Sequence, residues 1–338
     1  MRAIAEWHNI DRARFEAEVL PRYEPAILRG AVASWPAVRH GRTSPQALAA
    51  YLSARDNGSE VDAVMVPPDQ DGRIFYDPSM AGFNYLRNRL PLSKVLEQVL
   101  RYAGFGQAPA VAVQSALIST CLPGFTDENV LGLLAPTVAP RIWLGTAITT
   151  PAHFDESNNI ACVVAGRRRF TLFPPEQVGN LYIGPLDHAP TGTPISLVDF
   201  KSPDFERFPK FGDALAQAQS AELGPGDAIF MPSLWWHHVQ SLERFNVLVN
   251  YWWRASVDGQ ALPPSALDCL LHSVLSLRAL PPEQRRAWAA IFTHYVFDPD
   301  SAAADHIPVA SRGILGPLTP ELQQRFSVLL ATRLGPNK

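Results

Sequence analysis

The sequence predicts a mainly β protein with α elements: a mixed N-terminal part, a central β-barrel or sandwich, and a helical C-terminal appendage. Three observations carry that prediction. Short β-rich runs recur from about residue 110 to 255, punctuated by Gly and Pro. The first hundred residues alternate helical and extended patterns, and after "ALPP" at 261–264 apolar residues return at helical spacings.

The elements follow in chain order. "DRARFEAEVL" opens on Asp11, a good N-cap, and puts Phe15, Val19 and Leu20 on one helical face. "PAILRGAV" predicts a short strand ending at Gly30. "SPQALAAYLSAR" offers Ser44 as a cap and Pro45 in the first helical turn. "EVDAVMVPP" and "GRIFYDP" are expected as strands, and "LSKVLEQVLRYA" as a helix starting near Ser93. The β region then supplies "AVAVQSALIS", "RIWLGTAIT", "NIACVVAG", "RRFTLFPP", "DAIFMP", "HHVQSL" and "FNVLVNYWW". Three helices are expected last, in "SALDCLLHSVLSLRAL", "PPEQRRAWAAIFTHYVF" and "TPELQQRFSVLLATRL", each with an apolar stripe.

Composition narrows the function. At 338 residues, 47% hydrophobic and 18% charged, the chain can bury a sizeable core. A net charge of −3 gives no sign of a general nucleic-acid or anionic-membrane binder. Cys121, Cys162 and Cys269 are far apart and form no C-x-x-C pair, which excludes a cysteine zinc site and a disulfide framework. The first residues are too charged for a signal peptide, and no apolar run nears the roughly 20 residues that span a membrane. The expectation is a soluble, cytoplasmic protein.

The chemistry is concentrated in "TPAHFDESNN" at 150–159. In an extended segment residues i and i+2 share a face, so His153 and Asp155 project together while Phe154 points into packing. An imidazole and a carboxylate on one face are two of the three ligands of the 2-His-1-carboxylate triad, which leaves open positions on Fe(II). Alone the pair is weak, because two-residue motifs recur by chance and a polar turn explains them as well. A third ligand is available in "PGDAIFMPSLWWHHVQSL", where His237 and His238 alternate faces. His237 shares its side with Val239, which favours His237 over His238 as the inward one.

Four segments together make the pattern specific: "TPAHFDESNN", "GRRRFTLFPPEQ", "DFKSPDFERFPKF", and "GPGDAIFMPSLWWHHVQSL" followed by "VNYWW". In order, spacing and wording they resemble the JmjC and cupin-like iron(II)/2-oxoglutarate oxygenases, closest to the asparaginyl hydroxylase called factor inhibiting HIF. The resemblance covers residues 149–253, more loosely the N-terminal part, and the C-terminal helices only in kind.

What the resemblance implies is a double-stranded β-helix, the jelly-roll or cupin core, with Fe(II) held by His153, Asp155 and His237. Two further positions on the metal would take 2-oxoglutarate and the last O2. The family's lysine for the distal carboxylate of 2-oxoglutarate falls at Arg168, two residues past Gly166. A guanidinium can hold a carboxylate bidentately, so the swap is chemically sound. Arg168 alternates inward with Phe170 and Leu172, leaving Arg167 and Arg169 to solvent. Thr150 matches a family threonine at that carboxylate; Asn159 and Asn250 match residues lining the cosubstrate pocket, and Trp252 would wall it. The family's tyrosine partner would fall near Ala112, where none exists, leaving Ser115 or Tyr102 as substitutes.

The domain organisation expected is residues 1–110 as an N-terminal α/β part, 111–258 as the core, and 259–338 as a helical dimerisation region. The function expected is hydroxylation of a peptide or protein side chain. The alternatives are a cupin-like metal protein without turnover, or an oxygenase acting on a free small molecule. A mouth walled by Trp236 and Trp252, with "SPDFERFP" beside it, is expected to receive the substrate. A homodimer is expected, and neither nucleic acid nor membrane as partner.

Overall fold

Alternation of side chains along residues 140–253 produces eight strands, and their pairing builds the centre of the molecule. The computed structural model describes residues 1–254, 265–298, 300 and 302–334. It divides into two compact units, Met1–Trp253 and Arg254–Lys338.

In the first unit the strands are β1 (Pro140–Gly145), β2 (Thr149–His153), β3 (Asn158–Ala165), β4 (Arg168–Phe173), β5 (Gln219–Leu223), β6 (Ala228–Met231), β7 (Trp236–Ser241) and β8 (Asn246–Trp253). They lie in two sheets, in the orders β6-β3-β8-β1 and β5-β4-β7-β2, with every pairing antiparallel. Successive strands cross between the sheets except β4 and β5, which pair with each other. This is the double-stranded β-helix of a jelly-roll core.

The sequence before β1 extends those sheets. The larger one continues beyond β1 through Ala110–Leu117, Glu60–Val66 and the edge strand Leu86–Pro91; beyond β6 it adds Ala26–Arg29 and Ala5–His8. "GRIFYDP" departs from expectation. It forms only isolated bridges, at Arg73 and Tyr76, because the Asn84 side chain takes the strand's place by accepting from Phe75 N–H at 2.9 Å.

The period of two explains where the core lies. Ile160, Cys162 and Val164 on β3, with Val247, Val249 and Tyr251 on β8, point outward into a cluster with Val38, Leu48, Leu52, Leu96 and Val99 of the helices. Those helices are Pro36–Thr43, Pro45–Ser53 and Leu92–Ala103. Ala161, Val163 and Leu248 point between the sheets to meet Phe170, Leu172 and Ile229. A third cluster covers the other side of the smaller sheet, where the 174–218 connection packs Phe208 and Phe211 on Phe173 and Trp236. Each such fully buried side chain contributes on the order of 1.5–3 kcal/mol.

The second unit holds helices Ala266–Leu277, Pro282–Phe292 and Pro320–Leu334. Its side chains include exposed apolar groups, Leu275 at 83% and Phe297 at 70%. The boundary expected at 258/259 lies outside the described residues. No helix among the described residues is long and apolar enough to cross a membrane.

Candidate metal centre

At one end of the space between the sheets, the inward positions turn from apolar to polar. His153, the last residue of β2, sits directly across from His237 on β7. Their rings lie 4.2 Å apart, centroid to centroid. Asp155 follows two residues after the strand ends, and Leu234 N–H holds its carbonyl at 2.8 Å, tying the segment to the β6–β7 turn. One ligand atom from each of His153, Asp155 and His237 lies within 4.8 Å of the others. Phe154 points away, edge-on to Trp236 at 5.0 Å.

The hydrogen bonds prepare both imidazoles to coordinate. His153 Nδ1 lies 2.9 Å from the Pro151 carbonyl and His237 Nδ1 3.0 Å from that of Trp235. A carbonyl oxygen only accepts, so each Nδ1 carries the proton and each Nε2 keeps its lone pair. Burial, reinforced by the neighbouring His237, pushes the His153 pKa down to about 4, which keeps that ring neutral. His237 Nε2 faces Asp155 Oδ2 at 3.6 Å. His238 takes the opposite face and stacks on Phe200 at 4.4 Å.

Asp155 is itself held. Its Oδ2 accepts from Trp252 Nε1 at 2.8 Å and from Asn159 Nδ2 at 3.2 Å. Asn159 Oδ1 accepts from Asn250 Nδ2 at 3.4 Å, and Asn250 Oδ1 from Trp143 Nε1 at 2.9 Å. These donors all run toward the carboxylate and fix its orientation. Trp143 was not visible as a site residue, since nothing in "RIWLG" separates it from a core aromatic.

Arg168 stands on the inward face of β4, buried at 9% exposure, and its Nε has no hydrogen-bond partner among the described residues. Desolvation lowers its pKa to about 10, so the guanidinium remains charged at neutral pH. Arg167 and Arg169 point outward to Glu243 and Glu222. A buried cation without a counter-charge is costly, so this one awaits an anion.

One cavity of about 450 Å³ takes in all eight residues singled out in the sequence: His153, Asp155, His237, Thr150, Arg168, Asn159, Asn250 and Trp252. Its outer part corrects the expected mouth. Trp236 is buried against Phe154 and Phe173, and residues 199–211 do not reach the cavity. The mouth instead uses Asp62, Phe83, Arg87 and the stretch 189–192. Ser115 lines it, whereas Tyr102 lines a separate cavity with Arg244. A bulge between Val113 and Ala116 turns Gln114 and Ser115 together into the cavity. Ser115 adopts a left-handed φ of 49°, braced by Arg141 donating to its carbonyl at 2.9 Å.

Two imidazole nitrogens and one carboxylate, converging beside an unpartnered guanidinium, fit a divalent iron and a dicarboxylate ligand. Known proteins resemble this chain over the same region. A family model described as "Cupin-like domain" matches residues 12–259. Human HSPB1-associated protein 1 is 34% identical over 149 residues, 44% of this chain and 30% of its own length. Lysine-specific demethylase JMJ31 of Arabidopsis thaliana is 29% identical over 213 residues, 61% of this chain and 33% of its own. JmjC domain-containing protein F of Dictyostelium discoideum is 37% identical over 127 residues, 34% of this chain and 27% of its own. The matches thus span about a third of those relatives.

Proposed function

The chain belongs to the cupin-like domain family of JmjC-type proteins, and from that premise we propose that it is an iron(II)/2-oxoglutarate-dependent oxygenase hydroxylating a side chain of a peptide or protein. The observation that carries this reading is the convergence of His153, Asp155 and His237 in one cavity with the buried, unpartnered Arg168. A metal protein without turnover has little use for that cation.

His153, Asp155 and His237 would hold the iron. Arg168, assisted by the Thr150 hydroxyl, would hold the distal carboxylate of 2-oxoglutarate through a charge-assisted contact. When bound, iron and 2-oxoglutarate supply the oxidative chemistry that inserts one oxygen atom from O2 into a C–H bond. The protein's own part is geometric. Trp252 and Asn159 orient Asp155, and the Trp143 and Trp252 walls keep water from the reacting carbon.

Within the peptide class the oxidised residue is proposed as Asn, Asp or His, following the resemblance to the asparaginyl hydroxylase. One relative's name speaks of lysine demethylation, which begins with the same C–H hydroxylation, so methyl-lysine peptides belong in the same assay. Incubation with peptide panels should give a one-oxygen mass gain, or for methyl-lysine the loss of one CH2 released as formaldehyde, that requires both Fe(II) and 2-oxoglutarate. Oxygen gained only by free small molecules would reject the peptide substrate. Absence of 2-oxoglutarate turnover with every substrate would reject the enzyme.

The helices after residue 265 are proposed to pair two copies, which would cover their exposed apolar residues. The three free cysteines suit a reducing cytoplasm.

A further inference from the structure

Beside the cavity of the metal centre lies a smaller one of about 30 Å³, which Ala112, Ile148 and Ser241 help to line. Five residues line both cavities: Gln114, Trp143, Thr150, Arg168 and Val239. They form the partition between the two. A volume of about 30 Å³ admits water but not a carboxylate with its carbon chain. An anion entering from the metal side therefore stops at the partition.

Three of the five residues have polar groups to offer there. Val239 is apolar, and Trp143 uses its one side-chain N–H on Asn250. Arg168 keeps a buried Nε without a partner. The side chains of Gln114 and Thr150 likewise make no hydrogen bond with any described residue. Guanidinium, hydroxyl and carboxamide can all donate, and a carboxylate only accepts. A carboxamide can also turn its Oε1 to the guanidinium while its Nε2 donates to the anion.

These three side chains come from both sheets. Arg168 on β4 and Thr150 on β2 belong to the smaller sheet, and Gln114 on Ala110–Leu117 to the larger. Across β7, Arg168 pairs with Ser241 and Thr150 with Val239, two residues out of step. Two strand spacings and that offset put their backbones roughly 12 Å apart. An arginine side chain and a carboxylate together fill such a gap.

Gln114 reaches the partition because of the bulge between Val113 and Ala116. In regular alternation Gln114 and Ser115 would face opposite ways, yet both line the main cavity. The cost is the left-handed backbone of Ser115. Ser115 turns its own hydroxyl to Arg141, with Oγ 3.5 Å from Nη1. The side chain that the bulge frees for a ligand is thus Gln114. Arg87, the other arginine of the main cavity, is exposed on the edge strand two strands beyond Gln114 and does not line the smaller cavity.

We infer that Gln114 is a cosubstrate-binding residue, whose carboxamide donates to the distal carboxylate of 2-oxoglutarate and completes, with Arg168 and Thr150, a grip closing from both sheets. The identity of the ligand rests on the proposed oxygenase function; the convergence of the three side chains does not.

The test compares two acids on the Fe(II)-loaded full chain, titrated anaerobically and followed by the charge-transfer band. The second acid, 2-oxobutyrate, has the same chelating head and no distal carboxylate. Gln114→Ala should weaken 2-oxoglutarate about tenfold, the effect of losing a donor to a charged acceptor, and leave 2-oxobutyrate unchanged. Gln114→Glu keeps the shape but sets a carboxylate against a carboxylate, and should weaken 2-oxoglutarate about a hundredfold. An unchanged 2-oxoglutarate affinity in Gln114→Ala would overturn the inference, and a loss of peptide binding alone would place Gln114 on the substrate instead. Equal weakening of both acids would also overturn it, since a merely structural role does not distinguish them.

A wild type without any band would reject the oxygenase reading, and the grip is then read from metal-free protein. Glutarate should raise the melting temperature of wild type more than that of Gln114→Ala. Equal shifts in the two proteins would overturn the inference there too.

Discussion

A buried guanidinium with an unpartnered nitrogen needs an anion, and Arg168 has none within the described residues. Losing a charge-assisted contact in such a pocket costs on the order of 2–5 kcal/mol. Arg168→Ala should therefore weaken 2-oxoglutarate about thirtyfold or more and spare the metal; unchanged affinity by calorimetry would refute the role. Trp252→Phe keeps the ring but removes the hydrogen bond to Asp155. It should cost about 10–100-fold in metal affinity, and an unchanged affinity would mean that this bond does not orient the ligand. At this scale strand alternation told inward Arg168 from outward Arg167 and Arg169, and two-residue spacing paired His153 with Asp155. Trp143, Asp62 and Arg87 stayed hidden because their place depends on which distant strands become neighbours, and local pattern carries no such information.

Among the elements, β7 separates two adjacent histidines by phase alone. His237 faces the metal centre, and His238 is buried on the other side against Phe200. His237→Ala should abolish metal binding and His238→Ala should keep it; the reverse, measured by metal content, would show the phase to be wrong. His238 also carries a pH prediction. Burial, with Arg73 nearby, holds its pKa at about 3 against an ordinary 6.5, so the fold favours the neutral ring. Its stabilising share is complete above about pH 6.5 and drains away as pH falls toward 3. In metal-free protein, His238→Phe should preserve the stack on Phe200 and flatten the fall of melting temperature across that window. Some fall persists from His153, depressed likewise, and an acid profile identical to wild type would contradict this account. Ser44 capping the helix at Pro45 and the strand Glu60–Val66 were legible from composition. The edge strand Leu86–Pro91 was not, because its exposed side chains remove the apolar alternation that marks a strand.

On the scale of the whole molecule, the jelly-roll was legible because turn residues and period-two runs recur through residues 110–255. The crossing of strands between the sheets entered only through the family resemblance. The substrate mouth was misplaced for the same reason: "SPDFERFP" matched well, yet it packs into the cluster over the smaller sheet. The helices after residue 265 predict a dimer, so sedimentation at micromolar concentration should give twice 37.2 kDa, and a monomer would refute it. The oxygenase reading depends on the metal centre. The direct test is an anaerobic titration of the full chain with Fe(II) and 2-oxoglutarate. The account predicts the weak visible charge-transfer band of the chelate, at one iron per chain, lost in His153→Ala and retained in His238→Ala. A full-strength band in His153→Ala, or a tightly held zinc that iron and 2-oxoglutarate cannot replace, would contradict it.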